Sequence, residues 1–78
     1  MSTIDRMARS ADLVQGMADR LGVNLGAGHP LTVARRVSQM TMACSGCAEH
    51  SACAALQRQT RRLAEPPRYC RNAARLEA

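Results

Sequence analysis

The residues of this chain with the most varied chemistry are its four cysteines. Cys44, Cys47 and Cys53 lie within the run CSGCAEHSAC, and Cys70 follows two prolines in EPPRYCRN. Thiolates bind zinc ions and iron–sulfur clusters, pairs of thiols oxidise to disulfides, and protonated thiols serve as small core residues. The spacing of the cysteines decides which of these uses the sequence favours.

That spacing is typical of a metal centre. Two cysteines separated by two residues, such as Cys44 and Cys47, present both sulfurs to one site, and Gly46 between them allows a tight turn. Cys53 and Cys70 are expected in the first turns of two helices, where free N–H groups and the helix dipole favour the thiolate. The sequence therefore predicts that all four cysteines bind one metal centre.

Two occupants of this centre are considered, in order of preference. Structural zinc sites usually combine two closely spaced pairs of ligands, whereas here one CxxC pair is followed by single cysteines after gaps of 5 and 16 residues. Iron–sulfur clusters accept less regular spacings. We therefore expect a [4Fe-4S] cluster first and Zn²⁺ second, with two disulfides or four unliganded core thiols left open as alternatives.

Arginine supplies all of the formal positive charge of the side chains. Eleven arginines and no lysine stand against six acidic residues, which gives a formal net charge of +5. Four thiolates around either metal centre carry a net charge of about −2, which Arg58, Arg68 or Arg71 could offset. Most of the other arginines are expected on a solvated surface, and the alternative is a polyanion bound by Arg58, Arg61 and Arg62.

Catalysis and membrane insertion are not indicated. His50 is an alternative metal ligand, but a histidine in a polar helix start is expected to be exposed. No Asp or Asn is placed to orient it beside a cysteine nucleophile, so no catalytic residue is predicted. The sequence has neither a signal-peptide pattern nor an apolar run long enough for a bilayer, and we expect a cytoplasmic protein, where persistent disulfides are rare.

The elements that must position the cysteines are predicted to be helices. Phe and Trp are absent, and the apolar residues are mainly Ala, Leu, Val, Met and Cys, which suit helix interfaces. We expect an all-α fold, a compact bundle of three to four helices forming a single domain over residues 1–78, with the four-cysteine site joining helix ends. The predicted helices run from Thr3 to about Leu21, from Pro30 or Leu31 to Cys44, from a start between Ala48 and Ser51 to Leu63 or Ala64, and over residues 68–78.

Helical periodicity also predicts which positions face the core. The predicted buried positions are Ile4, Met7, Ala8, Ala11, Val14, Met17, Ala18 and Leu21 in the first helix, Leu31, Ala34, Val37, Met40 or Thr41 and Cys44 in the second, Ala52, Cys53, Leu56, Thr60 and Leu63 in the third, and Tyr69, Ala73 and Leu76 in the last. Gly22 is expected to cap the first helix in the left-handed conformation, and Pro30 to occupy the first turn of the second.

Three stretches of the chain also resemble a known family. LVQGMADRLGVNL, CSGCAEHSAC and PPRYCRN are similar to successive motifs of small uncharacterised alphaproteobacterial proteins, described as a domain of unknown function. The shared pattern is C-x2-C-x5-C followed by Pro-x-aromatic-Cys-x-Asn, on which the four cysteines and Asn72 fall. This chain has Ala55 and Leu56 where a Trp-Leu pair is frequent, and Arg71 where a proline is frequent. The resemblance implies an organisation and a host group, but no activity.

The cysteine run has a second, shorter resemblance. C-x2-C-x5-C resembles the last three ligands of the cluster loop in DNA-repair glycosylases of the endonuclease III type, although there the fourth ligand lies upstream and here Cys70 lies downstream. We expect a small metal-binding protein, an iron–sulfur redox or iron-responsive accessory or sensor with a protein partner. The alternative is a zinc-stabilised helical module that presents an arginine-rich surface to a protein or nucleic acid.

Overall fold

The computed structural model describes residues 3–76, and within them the chain forms four helices and no strand. These are α1 (Thr3–Leu21), α2 (Pro30–Ser45), α3 (His50–Gln59) and α4 (Ala73–Leu76). The all-α prediction is confirmed. The radius of gyration is 11.9 Å, close to the value of about 11.5 Å for a compact chain of this length.

The end of α1 is set by Gly22, as the sequence predicts. Gly22 has a φ of 73°, a left-handed conformation that costs glycine little. The N–H of Gly22 donates to the Asp19 carbonyl (3.3 Å) and the N–H of Val23 to the Ala18 carbonyl (2.9 Å). This pair of bonds is a Schellman motif, and it satisfies carbonyls that the last turn would otherwise leave unpaired.

The buried face of α1 is rotated from the predicted one. Its buried residues are Ser10, Leu13, Val14, Met17 and Ala18, so Ser10 and Leu13 take the places expected for Ala8 and Ala11. Ile4, predicted to be buried, is 80% exposed. Hydrophobic periodicity missed the rotation because a serine on the inner face carries no apolar signal.

The start of α2 follows the sequence, but its first half is not part of the core. His29 is the N-cap, where its Nδ1 accepts from the Leu31 N–H at 3.2 Å, and Pro30 occupies the first turn. Met40 and Thr41 are buried as predicted. The prediction for Leu31 was wrong, since it is 74% exposed. Ala34 is exposed as well.

Helix α3 is shorter than predicted because Arg20 occupies its C-terminal carbonyls. The helix ends at Gln59, and Thr60 is extended with φ −133° and ψ 127°. The Arg20 guanidinium donates to the carbonyls of Gln57 and Thr60, and the Leu63 N–H donates to the Arg20 carbonyl at 2.9 Å. Residues 60–63 therefore run beside the end of α1 instead of continuing the helix.

The last helix is also shorter than predicted within the described residues. Turns cover the segment before Ala73, with the Cys70 N–H donating to the Pro67 carbonyl (3.0 Å) and the Ala73 N–H to the Cys70 carbonyl (3.1 Å). Cys70 thus lies in a turn, and its placement in the first turn of a helix was wrong. Residues 77 and 78 of the predicted helix lie outside the described residues.

The core gathers residues from three helices and the first loop. Its buried members are Val14, Met17, Ala18, Leu25, Met40 and Leu76. Helix α1 lies at the centre, because it packs against both α2 and α3. Cys44, Cys53 and Cys70 are partly buried and pack against this core, so the cysteines border the core on one side. No helix within residues 3–76 is both long and apolar enough to cross a membrane.

A second arginine of α1 anchors the segment that holds two of the cysteines. Arg6 Nε donates to the Ser45 carbonyl at 2.7 Å, and its Nη2 donates to the Cys47 carbonyl at 3.2 Å. Arg6 therefore caps α2 as Arg20 caps α3. Both arginines lie on α1 and donate to backbone carbonyls of other segments of the chain.

Candidate functional site: a cysteine-lined cavity

All four cysteines line one small cavity. Cys44 lies in the last turn of α2, Cys47 in the following turn, Cys53 in the first turn of α3 and Cys70 in the turn before α4. His50, Tyr69, Arg71 and Asn72 complete the lining, and the cavity measures about 20 Å³, room for roughly one water molecule. We call it the cysteine cavity.

The four sulfurs surround the cysteine cavity without meeting at one point. All four cysteines are free thiols. Among the His, Cys, Asp and Glu side chains of residues 3–76, no group of three or more is arranged so that it could hold a metal ion. The structure thus brings the predicted residues to one cavity but does not establish the predicted four-ligand site.

The CxxC turn is held by its backbone. The Cys47 N–H donates to the Cys44 carbonyl at 2.9 Å, which closes the turn at the end of α2. Gly46 lies in this turn as predicted, with a φ of −84° that other residues can also adopt. The Cys47 sulfur accepts from the Glu49 N–H at 3.4 Å, and its own thiol donates to the Tyr69 carbonyl at 3.9 Å.

His50 and Ser10 lie beside Cys44 and contact its carbonyl and its sulfur. His50 is only 9% exposed, so the prediction of an exposed histidine was wrong. Its Nε2 lies 2.6 Å from the Cys44 carbonyl, 3.5 Å from Ser10 Oγ and 3.8 Å from the Cys44 sulfur. Because a carbonyl oxygen only accepts, Nε2 carries the proton. The Ser10 hydroxyl also hydrogen-bonds the Cys44 sulfur.

Gln57 hydrogen-bonds both Cys53, on its own helix α3, and the backbone of α1. Its Nε2 donates both to the Leu13 carbonyl at 2.9 Å and to the Cys53 sulfur at 3.4 Å. Gly16 makes room for this side chain, because a Cβ at Gly16 would overlap Gln57 Oε1. The absence of a side chain at Gly16 on α1 therefore leaves space for Gln57 to hydrogen-bond Cys53 on α3.

Asn72 supports Cys70 and joins it to α2. The backbone N–H of Asn72 donates to the Cys70 sulfur, and its side-chain Nδ2 donates to the Met40 carbonyl at 2.9 Å. Asn72 is 2% exposed, so this amide has little access to water. With Cys70 included, every cysteine sulfur lies beside a hydrogen-bond donor.

Burial raises the pKa of the thiols of Cys44, Cys53 and Cys70 above the ordinary value of 9.0. The hydrogen bonds from Ser10, Gln57 and Asn72 lower these pKa values, but desolvation of the thiolate is the larger effect in each case. The prediction of thiolates stabilised by helix first turns was therefore wrong for the isolated protein. The thiols of Cys44, Cys53 and Cys70 become thiolates together only beside a strong positive charge, such as that of metal ions.

Comparison with known proteins identifies the family. A model of a family of unknown function, DUF6455, matches residues 1–78. The chain belongs to DUF6455. Neither the curated proteins nor the solved structures gave a match.

Of the arginines proposed to offset charge, one lines the cysteine cavity of this DUF6455 protein. Arg71 is a lining residue, whereas Arg58 and Arg68 are not. An Arg71 Nη1 lies 3.7 Å from where a Cβ on Gly46 would be, which places the guanidinium over the CxxC turn. Arg71 thus brings a positive charge to the lining of the cysteine cavity.

The supporting residues were missed by sequence analysis. Ser10 and Gln57 have no motif around them. Ser10 lies far from Cys44 in the chain, whereas Gln57 lies four positions after Cys53 on the same helix. Asn72 falls on the motif of the family that the sequence resembles, but the sequence predicted no role for it. A buried polar residue on an apolar helix face was the one available signal, because such residues are nearly always hydrogen-bonded.

Proposed function

We propose that this protein binds a [4Fe-4S] cluster through Cys44, Cys47, Cys53 and Cys70, and acts as a small redox or iron-responsive accessory protein. The observation that carries the proposal is the cysteine cavity itself. Four thiols from separate turns of the chain line one cavity, and each sulfur lies beside a hydrogen-bond donor. Unliganded core thiols have no need for such a set of donors.

A cluster requires less convergence of the four sulfurs than a single metal ion does. In a [4Fe-4S] cluster each thiolate binds a different iron, so the four sulfurs surround the cluster instead of meeting at a point. The cavity is small, and we expect the turns that carry Cys47 and Cys70 to move outward on binding, since both lie outside the helices. The positive irons would also overcome the desolvation that raises the thiol pKa values.

The neighbours of the sulfurs have defined roles in this proposal. Hydrogen bonds to cluster sulfurs and the charge near them set the reduction potential. Gln57 and the Asn72 backbone supply such hydrogen bonds, and Arg71 supplies a positive charge. When bound, the cluster would supply one-electron chemistry, and the protein would hold it beside the exposed Tyr69 edge of the cavity.

A structural zinc site is the second candidate, in a helical module that presents exposed arginines to a partner. In this proposal the same four cysteines would hold the zinc ion, which would cross-link the turns that carry them. Arg58, Arg61 and Arg62 are exposed on and after α3. In this second proposal they form the surface that contacts a protein or nucleic-acid partner. Both proposals place the protein in a reducing bacterial cytoplasm, as the motif resemblance to alphaproteobacterial proteins and the free thiols support.

Anaerobic purification followed by absorption spectroscopy and metal analysis separates the candidates. The first proposal predicts a brown protein with an absorption near roughly 400 nm and about four irons and four sulfides per chain. One zinc per colourless chain would support the second proposal and overturn the first. A chain that takes up neither metal, as isolated or after anaerobic reconstitution, would overturn both.

Serine variants test the ligands one by one. Cys44→Ser, Cys47→Ser, Cys53→Ser and Cys70→Ser should each lower the metal content. The matched control is Met42→Ser, which removes an exposed sulfur two residues from Cys44. If the metal content of the four cysteine variants equals that of the control, these cysteines are not the ligands.

A further inference from the structure

A second cleft of this protein is lined by arginines and lies between α2 and the last helix. Thr32, Arg35, Arg36 and Gln39 line it from α2, and Arg75 lines it from α4. Its volume is about 380 Å³. No acidic side chain of residues 3–76 lines it. We call it the arginine cleft, and it shares no lining residue with the cysteine cavity.

The residues of α2 reach the arginine cleft because of their spacing. Positions 32, 35, 36 and 39 follow the i, i+3, i+4, i+7 pattern of one helix face, and here that face is polar. Three guanidinium groups around one cleft repel each other unless an anion lies between them.

Two of the guanidinium groups are held in place by neutral acceptors. Arg36 Nη1 donates to the carbonyls of Leu25 (3.3 Å) and Ala27 (3.2 Å). Arg75 Nη1 donates to Asn72 Oδ1 at 3.4 Å. Because these acceptors are neutral, the bonds orient the two guanidinium groups without pairing their charge with a carboxylate, and each retains donors on its other nitrogens.

We propose that the arginine cleft binds a small phosphate-bearing anion. Arginine presents paired N–H groups that match two oxygens of a phosphate, and the Thr32 hydroxyl and the Gln39 amide add neutral donors. A cleft of this volume accommodates a group of one or two phosphates and a small attached body. The site requires no metal in the cysteine cavity, so it stands apart from the proposed function.

The distribution of the other arginines favours a small anion over a nucleic-acid backbone. Arg61 and Arg62 line a different groove, together with Asp19 and Arg20. A nucleic-acid strand needs a continuous basic track along its phosphates, whereas the arginine cleft is a separate cluster with its own lining residues. The cleft therefore fits a ligand that is no larger than the cluster.

Titration of the full-length protein with pyrophosphate tests the proposal. Binding is measured by calorimetry and by amide shifts in α2 and α4, in low-salt buffer, against sodium chloride at matched ionic strength. The variant is Arg35→Gln with Arg75→Gln, and the matched control is Arg61→Gln with Arg62→Gln, which removes the same charge from the other groove. The cleft variant should weaken binding by ~10-fold or more, and the control by less than about twofold.

Three outcomes would overturn the proposal. They are an absence of pyrophosphate binding at low salt, an equal loss in both double variants, and tighter binding of a single-stranded oligonucleotide that depends on both grooves. If the double variant loses helicity by circular dichroism, Arg35→Gln alone replaces it. Arg35 is exposed on α2, so its loss leaves the core intact and must still weaken binding.

Discussion

Asn72 donates its buried side-chain amide to the carbonyl of Met40, 32 residues earlier in the chain, at 2.9 Å. This one bond joins the turn that carries Cys70 to the helix that carries Cys44. The backbone N–H of the same Asn72 donates to the Cys70 sulfur. The position of Cys70 therefore depends on a side chain that does not titrate and is not proposed as a metal ligand.

Asn72→Ala should lower the free energy of unfolding by about 1–3 kcal/mol, because the buried Met40 carbonyl would lose its side-chain donor. Urea denaturation followed by circular dichroism measures the change. Asn24→Ala is the matched control, since Asn24 is exposed and its side chain accepts one local bond, from the Gly26 N–H at 2.9 Å. Equal losses in the two variants would contradict this role of Asn72.

Arg20→Gln should lower the free energy of unfolding by about 1.5–3 kcal/mol, because charged donors to the carbonyls of Gly16, Gln57 and Thr60 are lost. Hydrogen exchange should also become faster at the Thr60 amide, which makes the last bond of α3. Arg62→Gln removes an equal charge from an exposed site and should change stability by less than about 0.5 kcal/mol. Unchanged exchange at Thr60 in Arg20→Gln would show that α3 ends for another reason.

Gly16→Ala should have a different effect with and without Gln57. Alanine favours the helix by about 1 kcal/mol, but its Cβ would overlap Gln57 Oε1 and displace that side chain from the Leu13 carbonyl and the Cys53 sulfur. In a Gln57→Ala background the overlap is gone, so Gly16→Ala should stabilise the protein by roughly 0.5–1 kcal/mol. A double-mutant cycle with no coupling between the two positions would contradict the proposed contact.

The metal-free, reduced protein should lose stability in alkaline solution. The pKa values of Cys44, Cys53 and Cys70 lie above the unfolded value of 9.0. Their contribution is therefore fully present below pH 9 and is lost as the pH rises from 9 through the folded pKa values, because the unfolded chain releases its protons first. Denaturation at a series of pH values from 7 to 11 measures this loss.

Burial also raises the pKa of Tyr69, whose ordinary value is 10.0, so the alkaline series is repeated in Tyr69→Phe. The triple variant Cys44→Ser, Cys53→Ser, Cys70→Ser should show a smaller loss of stability between pH 8 and 10 than the wild type. An equal loss in the triple variant would assign the effect to groups other than these thiols.

Local chemistry in the sequence determined where the first two helices lie. Gly22 ends α1 because glycine alone takes the left-handed cap at little cost, and Pro30 begins α2 because its missing N–H is not needed there. The cysteine spacing likewise indicated a shared location for four sulfurs, and all four do line one cavity. The helix boundaries depend on residues close to one another in the chain, so a pattern can reveal them.

Contacts between distant residues decided the rest, and for this reason only the tertiary structure contains them. The apolar pattern of α3 continues to Leu63, but Arg20 binds the carbonyls at Gln57 and Thr60 and ends the helix earlier. The sequence around His50 indicates a surface residue, but in the fold it is buried beside Ser10, 40 positions away. The pKa of the Cys53 thiol also depends on the tertiary structure, because burial raises it more than the hydrogen bond from Gln57 lowers it.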